Sequence, residues 1–111
     1  MTNKPLQFRQ GDVFLEARAT PAGAKPEEMK GRVVLAYGEV TGHAHAFYTD
    51  RVRFFRETGS DGVARTFIRV EGDTPAALEH EEHSKIEVPP GDYEIILQRE
   101  YSPTEIRQVA D

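Results

Sequence analysis

The chain has 111 residues, and its 19 acidic against 14 basic residues give a formal net charge of -5 at pH 7. This length fits one domain better than two, and the acidic balance argues against the broad positive field of nucleic-acid-binding proteins. The chain contains no cysteine, which excludes disulfides and thiolate metal sites, so any transition metal has to be bound by imidazole and oxygen.

The sequence gives no sign of export or of membrane insertion. The first residues lack the apolar core of a secretory signal. No run approaches the roughly 18 consecutive apolar residues that a membrane-spanning helix needs. We therefore expect a cytoplasmic protein without a membrane partner.

The N-terminal part predicts one strand between two polar connections. Residues 1–10 are predicted as a polar lead-in, and residues 13–18 alternate apolar and polar side chains after a glycine-aspartate turn, which is typical of a strand. Residues 19–30 contain two prolines and a glycine and predict a solvated loop. The alternative is a short helical turn that begins at Pro26, since proline is tolerated at the first helical position.

The middle of the chain predicts two further strands and a hairpin. Residues 32–37 form an apolar run typical of a buried strand, and residues 43–48 continue in an extended pattern after a glycine-bracketed segment. Residues 51–57 and 64–70 both alternate. They flank Gly59-Ser60-Asp61-Gly62, a strong hairpin-turn signal.

The C-terminal part adds two strands, at residues 85–88 and from residue 93 to about 101, around a Pro-Pro-Gly-Asp turn. Residues 104–109 predict either a last short strand or a tail. About eight short strands and no helical periodicity predict an all-β protein, either a small β-barrel or a two-sheet sandwich. We predict a single domain over residues 1–111, with its core at about residues 9–103.

All four histidines of the chain fall in two short windows, Thr41-Gly42-His43-Ala44-His45 and His80-Glu81-Glu82-His83. On a strand, His43 and His45 would point to the same face and suit one ion. His80 and His83 would face opposite ways on a straight strand, so both can join the site only if their segment turns. The four histidines are therefore the predicted ligands of a divalent transition metal, with zinc, iron, manganese and nickel all open.

The acidic residues between the second pair of histidines are candidates for chemistry at the ion. Glu81 or Glu82 would bind the metal, act as a general base on a metal-bound water, or orient a ligand imidazole. A solvated acidic turn is the simpler interpretation of each. A metal-free pocket lined by histidines is the alternative to a metal site.

Three classes of function are compatible with these patterns. The first is a metal-binding domain, with or without enzymatic activity and with a small-molecule ligand. The second is a homo-oligomeric accessory module in which the histidines are structural or lie at an interface. The third and weakest is a nucleic-acid accessory protein that uses the predicted hairpin. The basic and aromatic residues of that hairpin are Arg51, Arg53, Arg56, Arg65, Arg69, Phe54, Phe55 and Phe67.

The two histidine windows, together with Pro89-Pro90-Gly91-Asp92-Tyr93 and Gln98-Arg99-Glu100-Tyr101, resemble a family of small uncharacterised bacterial and phage-borne proteins. The resemblance covers roughly residues 9–103 and implies that these segments belong to one domain. The chain also loosely resembles the cupins. That resemblance implies a small β-barrel that binds a metal through His43 and His45, although Thr49 and Glu94 stand where the cupins place a glutamate and a later histidine.

Overall fold

The computed structural model describes residues 6–29, 31–37 and 42–97. In these ranges the chain forms ten β-strands, and no helix there has the length and apolarity for crossing a membrane. The strands are β1 Gln7–Gln10, β2 Val13–Ala17, β3 Lys25–Glu27, β4 Val33–Tyr37, β5 Ala44–Phe47, β6 Val52–Thr58, β7 Ala64–Val70, β8 Ala76–Glu79, β9 Ile86–Val88 and β10 Gly91–Leu97.

The strands form two antiparallel sheets. The larger sheet has the order β1-β2-β10-β7-β6-β3 and the smaller sheet the order β4-β5-β8-β9. Neither sheet closes on itself within the described ranges. The prediction of an all-β fold is therefore confirmed, and the architecture agrees with the two-sheet sandwich rather than the barrel.

Both sheets contribute to one hydrophobic core, into which strands such as β2 and β10 turn alternate side chains. Leu15 on β2 and Tyr93 on β10 meet Phe47 on β5 and Leu78 on β8, and all four are almost completely buried. The predicted alternation of β2 and of the strand that begins at residue 93 is confirmed. Residues 98–101 and the predicted final strand at 104–109 lie outside the described residues.

Two short strands lie where the sequence predicts connections. The predicted polar lead-in contains β1, which pairs with β2 across the tight turn at Gly11. The predicted loop at residues 19–30 contains β3, which pairs with β6 and includes Pro26. Proline lacks the N–H for a ladder, and β3 is an edge strand, where one missing donor costs little. The alternative of a helical turn from Pro26 is therefore wrong.

The predicted hairpin is confirmed. Strands β6 and β7 pair from Val52 opposite Val70 to Thr58 opposite Ala64. The N–H of Gly59 donates to the carbonyl of Val63, and Gly62 has a φ of 82°, a conformation that few side chains tolerate. The single-domain boundary at 1–111 stays a prediction.

Candidate metal centre

The register of the smaller sheet brings the two histidine windows together. Strand β5 pairs with β8 so that Ala46 lies opposite Glu79. One step further along the same register, His45 faces His80, and their ring centroids are 4.3 Å apart. The windows are 35 residues apart in sequence but adjacent in space because β5 and β8 are neighbours.

The second histidine window, residues 80–83, is bent rather than extended. Strand β8 ends at Glu79, and residues 80–83 lie outside any strand. The rings of His80 and His83 therefore turn toward each other, with 4.6 Å between their centroids. The segment therefore has the bend that the two histidines need in order to face one site.

His45, His80 and His83 form a group that could hold a metal ion, since one ring nitrogen of each lies within 4.8 Å of the others. A tetrahedral zinc ion with zinc–nitrogen distances of about 2.05 Å separates its ligand atoms by roughly 3.4 Å. The three nitrogens thus have to move closer by little more than about 1 Å. His45 is 4% exposed and lies at the base of the group, and His83 lies on the solvent side.

A buried glutamine contacts His45 from the larger sheet. Gln10, the last residue of β1, is 3% exposed. Its Oε1 lies 2.8 Å from Nδ1 of His45. Its Nε2 donates hydrogen bonds to the carbonyls of Leu78 and Ser84, both at 2.9 Å.

Gly11, the next residue, lies directly against the histidines. Its φ is 57°, and a Cβ there would lie 2.8 Å from Nε2 of His83 and 3.2 Å from Cε1 of His45. Real Cβ atoms do not approach so closely, so a side chain would displace the rings. Gly11 is therefore required both for the tight β1–β2 turn and for the space beside His83.

The surroundings of His45 keep its ring neutral. Burial, together with the neighbouring His80 and His83, lowers the pKa of His45 from 6.5 to about 4. Asp12 and Glu81 oppose this shift without cancelling it. A neutral imidazole is the form that binds metals.

His80 has a different partner. The backbone N–H of Glu82 donates a hydrogen bond to Nδ1 of His80 over 3.0 Å. In the neutral ring the hydrogen therefore sits on Nε2 of His80. His80 has to change its hydrogen bonding before it can bind an ion through either nitrogen.

The remaining predicted site residues lie to one side. The position of His43, two residues before His45, predicts that both histidines bind one ion. In the structure His43 instead lies in a second group that could hold a metal, together with His80 and Glu81. This difference arises because β5 begins only at Ala44, so the strand alternation does not extend to His43. Nδ1 of His43 is 2.8 Å from Oε2 of Glu82, without the alignment of a hydrogen bond.

The two predicted catalytic acids have separate partners. Oε1 of Glu81 accepts a hydrogen bond from the N–H of Ala44 over 2.9 Å. This bond lowers the pKa of Glu81, which makes its carboxylate a weaker base and an anchor for the start of β5. Glu82 is 58% exposed and lies beside His43.

The basic and aromatic hairpin differs from the surface that nucleic-acid binding needs. Phe54, Phe55 and Phe67 are buried and offer no face for base stacking. Four arginines of the hairpin are paired with carboxylates: Arg53 with Glu71, Arg56 with Glu27, Arg65 with Glu94 and Arg69 with Asp92. The geometry does not favour the nucleic-acid hypothesis.

Sequence reasoning identified the histidines but missed Gln10 and Gly11. The available signal was the turn itself, since a glycine between two strands often marks a close backbone approach. Nothing in the sequence around residue 10 indicates that its partners lie 35, 68 and 74 residues away.

One family model, described as a domain of unknown function (DUF8820), matches residues 9–98. This match agrees with the resemblance to small uncharacterised proteins and covers both histidine windows. No curated protein and no solved structure matches the chain. The cupin-like resemblance therefore stays a prediction.

Proposed function

The chain belongs to the DUF8820 family, and we propose that it is a metal-binding protein that holds one divalent transition metal per chain on His45, His80 and His83. The observation that carries this proposal is the convergence of three ring nitrogens to within 4.8 Å from two separate segments. Imidazole is the commonest metal-binding side chain, and the set suits zinc, iron, manganese or nickel.

Three protein ligands leave at least one coordination position for a water or a small molecule. Because His83 is exposed and His45 is buried, this position faces solvent. An ion in this setting can act as a Lewis acid toward a bound small molecule, which a closed structural site cannot do. Glu82, exposed and beside His43, is the candidate general base, whereas Glu81 is engaged by Ala44.

The first test is metal content. Untagged protein, stripped with a chelator and then titrated with Zn²⁺, Fe²⁺, Mn²⁺ or Ni²⁺, should bind one ion per chain by elemental analysis and calorimetry. His83→Ala should weaken binding by more than about 100-fold, since losing a ligand should cost more than losing a partner of a ligand. His43→Ala is the matched control and should bind normally.

Two outcomes contradict the proposal. The proposal would be refuted if the wild-type protein bound none of the four metals. Normal binding by His83→Ala with loss in His43→Ala would move the ion to the neighbouring group of His43, His80 and Glu81.

The open position has its own test. The Co²⁺-loaded protein should change its visible absorption when azide is added, because an exchangeable position accepts the anion. An unchanged spectrum would indicate a closed, structural site.

A second candidate is self-assembly. Strand β4 pairs only with β5 among the described residues, and Tyr37 on it is 67% exposed. An apolar edge strand is able to pair with a second copy. A homo-oligomer through this edge predicts that Tyr37→Lys shifts the sedimentation coefficient toward the monomer, and a monomeric wild type contradicts it.

A further inference from the structure

We propose that Gln10 is a positioning residue of the metal site, which fixes the tautomer of His45 and joins both ends of the bend that carries His80 and His83. The inference rests on the proposed function. It extends that function to a residue of the other sheet, which binds no metal itself.

The orientation of the Gln10 amide follows from its partners. Two carbonyl oxygens, of Leu78 and Ser84, lie 2.9 Å from the same amide atom. Only an NH₂ group can donate to two carbonyls, and a carbonyl oxygen in that place would meet two others. The amide nitrogen therefore faces Leu78 and Ser84, and Oε1 faces His45.

This orientation determines where His45 carries its hydrogen. Oε1 of Gln10 can only accept, so Nδ1 of His45 has to donate across the 2.8 Å contact. Nε2 of His45 is then unprotonated and has a free lone pair. Histidine ligands of metals usually donate their second ring N–H to an oxygen acceptor in this way.

Gln10 also connects the residues on either side of the bend that carries His80 and His83. Leu78 lies on β8, two residues before His80, and Ser84 follows His83 shortly before β9 begins. One amide group thus joins the two sides of the segment that carries two candidate ligands. Burial of Gln10 strengthens these bonds, because water does not compete for them.

His80 differs from His45 in the hydrogen bond that its Nδ1 makes. Nδ1 of His80 accepts from the N–H of Glu82, so the two neighbouring rings are held in opposite tautomers. His45 is prepared for an ion before the ion arrives, and His80 is not. Gln10 accounts for the tautomer of His45, and the N–H of Glu82 accounts for that of His80.

The decisive measurement uses metal-free protein. A long-range proton–nitrogen NMR correlation at neutral pH distinguishes the two neutral forms of each imidazole. Wild-type His45 should carry its hydrogen on Nδ1, and His80 should carry it on Nε2. A hydrogen on Nε2 of wild-type His45 would overturn the assignment without any variant.

Variants test the consequence for binding. Gln10→Met removes every polar contact of the amide and should weaken Zn²⁺ binding by about 10–100-fold, the usual effect of losing such a partner. In Gln10→Met the His45 hydrogen should also move to Nε2. Gln7→Met is the matched control, since Gln7 lies on the same strand, is exposed and donates its side-chain N–H to Glu16. It should change neither the tautomer nor the affinity.

Gln10→Glu separates the two roles. Its carboxylate can still accept from Nδ1 of His45 but cannot donate to Leu78 and Ser84. The tautomer should be retained while Zn²⁺ binding weakens. If Gln10→Met fails to fold, this variant and the wild-type spectrum decide the question.

The two proposals fail differently. Wild-type protein that binds no metal would remove the proposed function, even with His45 protonated on Nδ1. Normal Zn²⁺ affinity in folded Gln10→Met would remove the role of Gln10 and leave metal binding intact.

Discussion

The metal-free protein should lose stability as the pH falls from 6.5 toward 4, because of His45. In the unfolded chain this imidazole titrates near 6.5, whereas burial and the adjacent histidines lower its pKa to about 4 in the folded state. Between these values the unfolded state binds more protons than the folded state, so acid favours unfolding. At pH 5 the difference of 1.5 units between 6.5 and the solution pH corresponds to about 2 kcal/mol, and near pH 4 the loss approaches about 3 kcal/mol.

The assay is urea denaturation of chelator-treated protein at half-unit steps from pH 7.5 to 4.5. The comparison variant is His45→Gln, which does not titrate and keeps an N–H that is able to reach Oε1 of Gln10. Carboxylates contribute equally to both proteins, so the difference in unfolding free energy isolates His45. The unfolding free energy of the wild type minus that of His45→Gln should be constant above pH 7. At pH 5 it should be lower by about 2 kcal/mol.

Parallel stability curves for the two proteins would refute the reasoning. They would mean that His45 is protonated as readily in the folded chain as in the unfolded one. The ring would then be solvated, and the buried position of the candidate ligand would be wrong.

Three further predictions concern the site and the core. Gly11→Ala should weaken Zn²⁺ binding at least 10-fold, because its methyl group displaces His83. The control is Gly62→Ala, where φ is also positive but a Cβ meets no atom. This control should lose about 1–2 kcal/mol of stability and no Zn²⁺ affinity. Equal affinity in both variants would contradict the contact. Leu78→Ala should cost about 2–5 kcal/mol in urea denaturation, since Leu78 is fully buried, and Leu78→Met should cost less than about 1.5. Equal losses would place Leu78 outside the core. Tyr93→Phe should cost about 1 kcal/mol, because its hydroxyl donates to the carbonyl of Pro89 over 2.8 Å. An unchanged midpoint would argue against that bond.

The strands with clear alternation were predictable from the sequence. The hairpin of β6 and β7 has an unmistakable turn, although Phe67 and Ile68 are both buried, and Tyr93 and Ile95 are buried at alternate positions of β10. Strands β1 and β3 were not predictable, because three or four residues with few apolar side chains give no period. Their pairing with β2 and β6 decides their structure instead.

The candidate site was half predictable. The histidines could be found because all four lie in two windows, and the need for a bend followed from the spacing of His80 and His83. The grouping of His43 depended on where β5 begins, which the repeated alanines do not indicate. Gln10 could not be found, since a buried polar residue is identified by partners that only the sheet order brings near it.

His45 lies on the smaller sheet and the other three histidines lie in segments next to its strands, yet the residue that fixes the geometry of His45 comes from the larger sheet. An ion bound by His45, His80 and His83 would therefore lie next to a contact between the two sheets. Loading and unloading the ion would change how firmly the corner of β1 is held against β8, while the distant β6–β7 hairpin keeps its own pairing. Occupancy of the proposed site would then affect the contact that Gln10 makes with His45 between the two sheets.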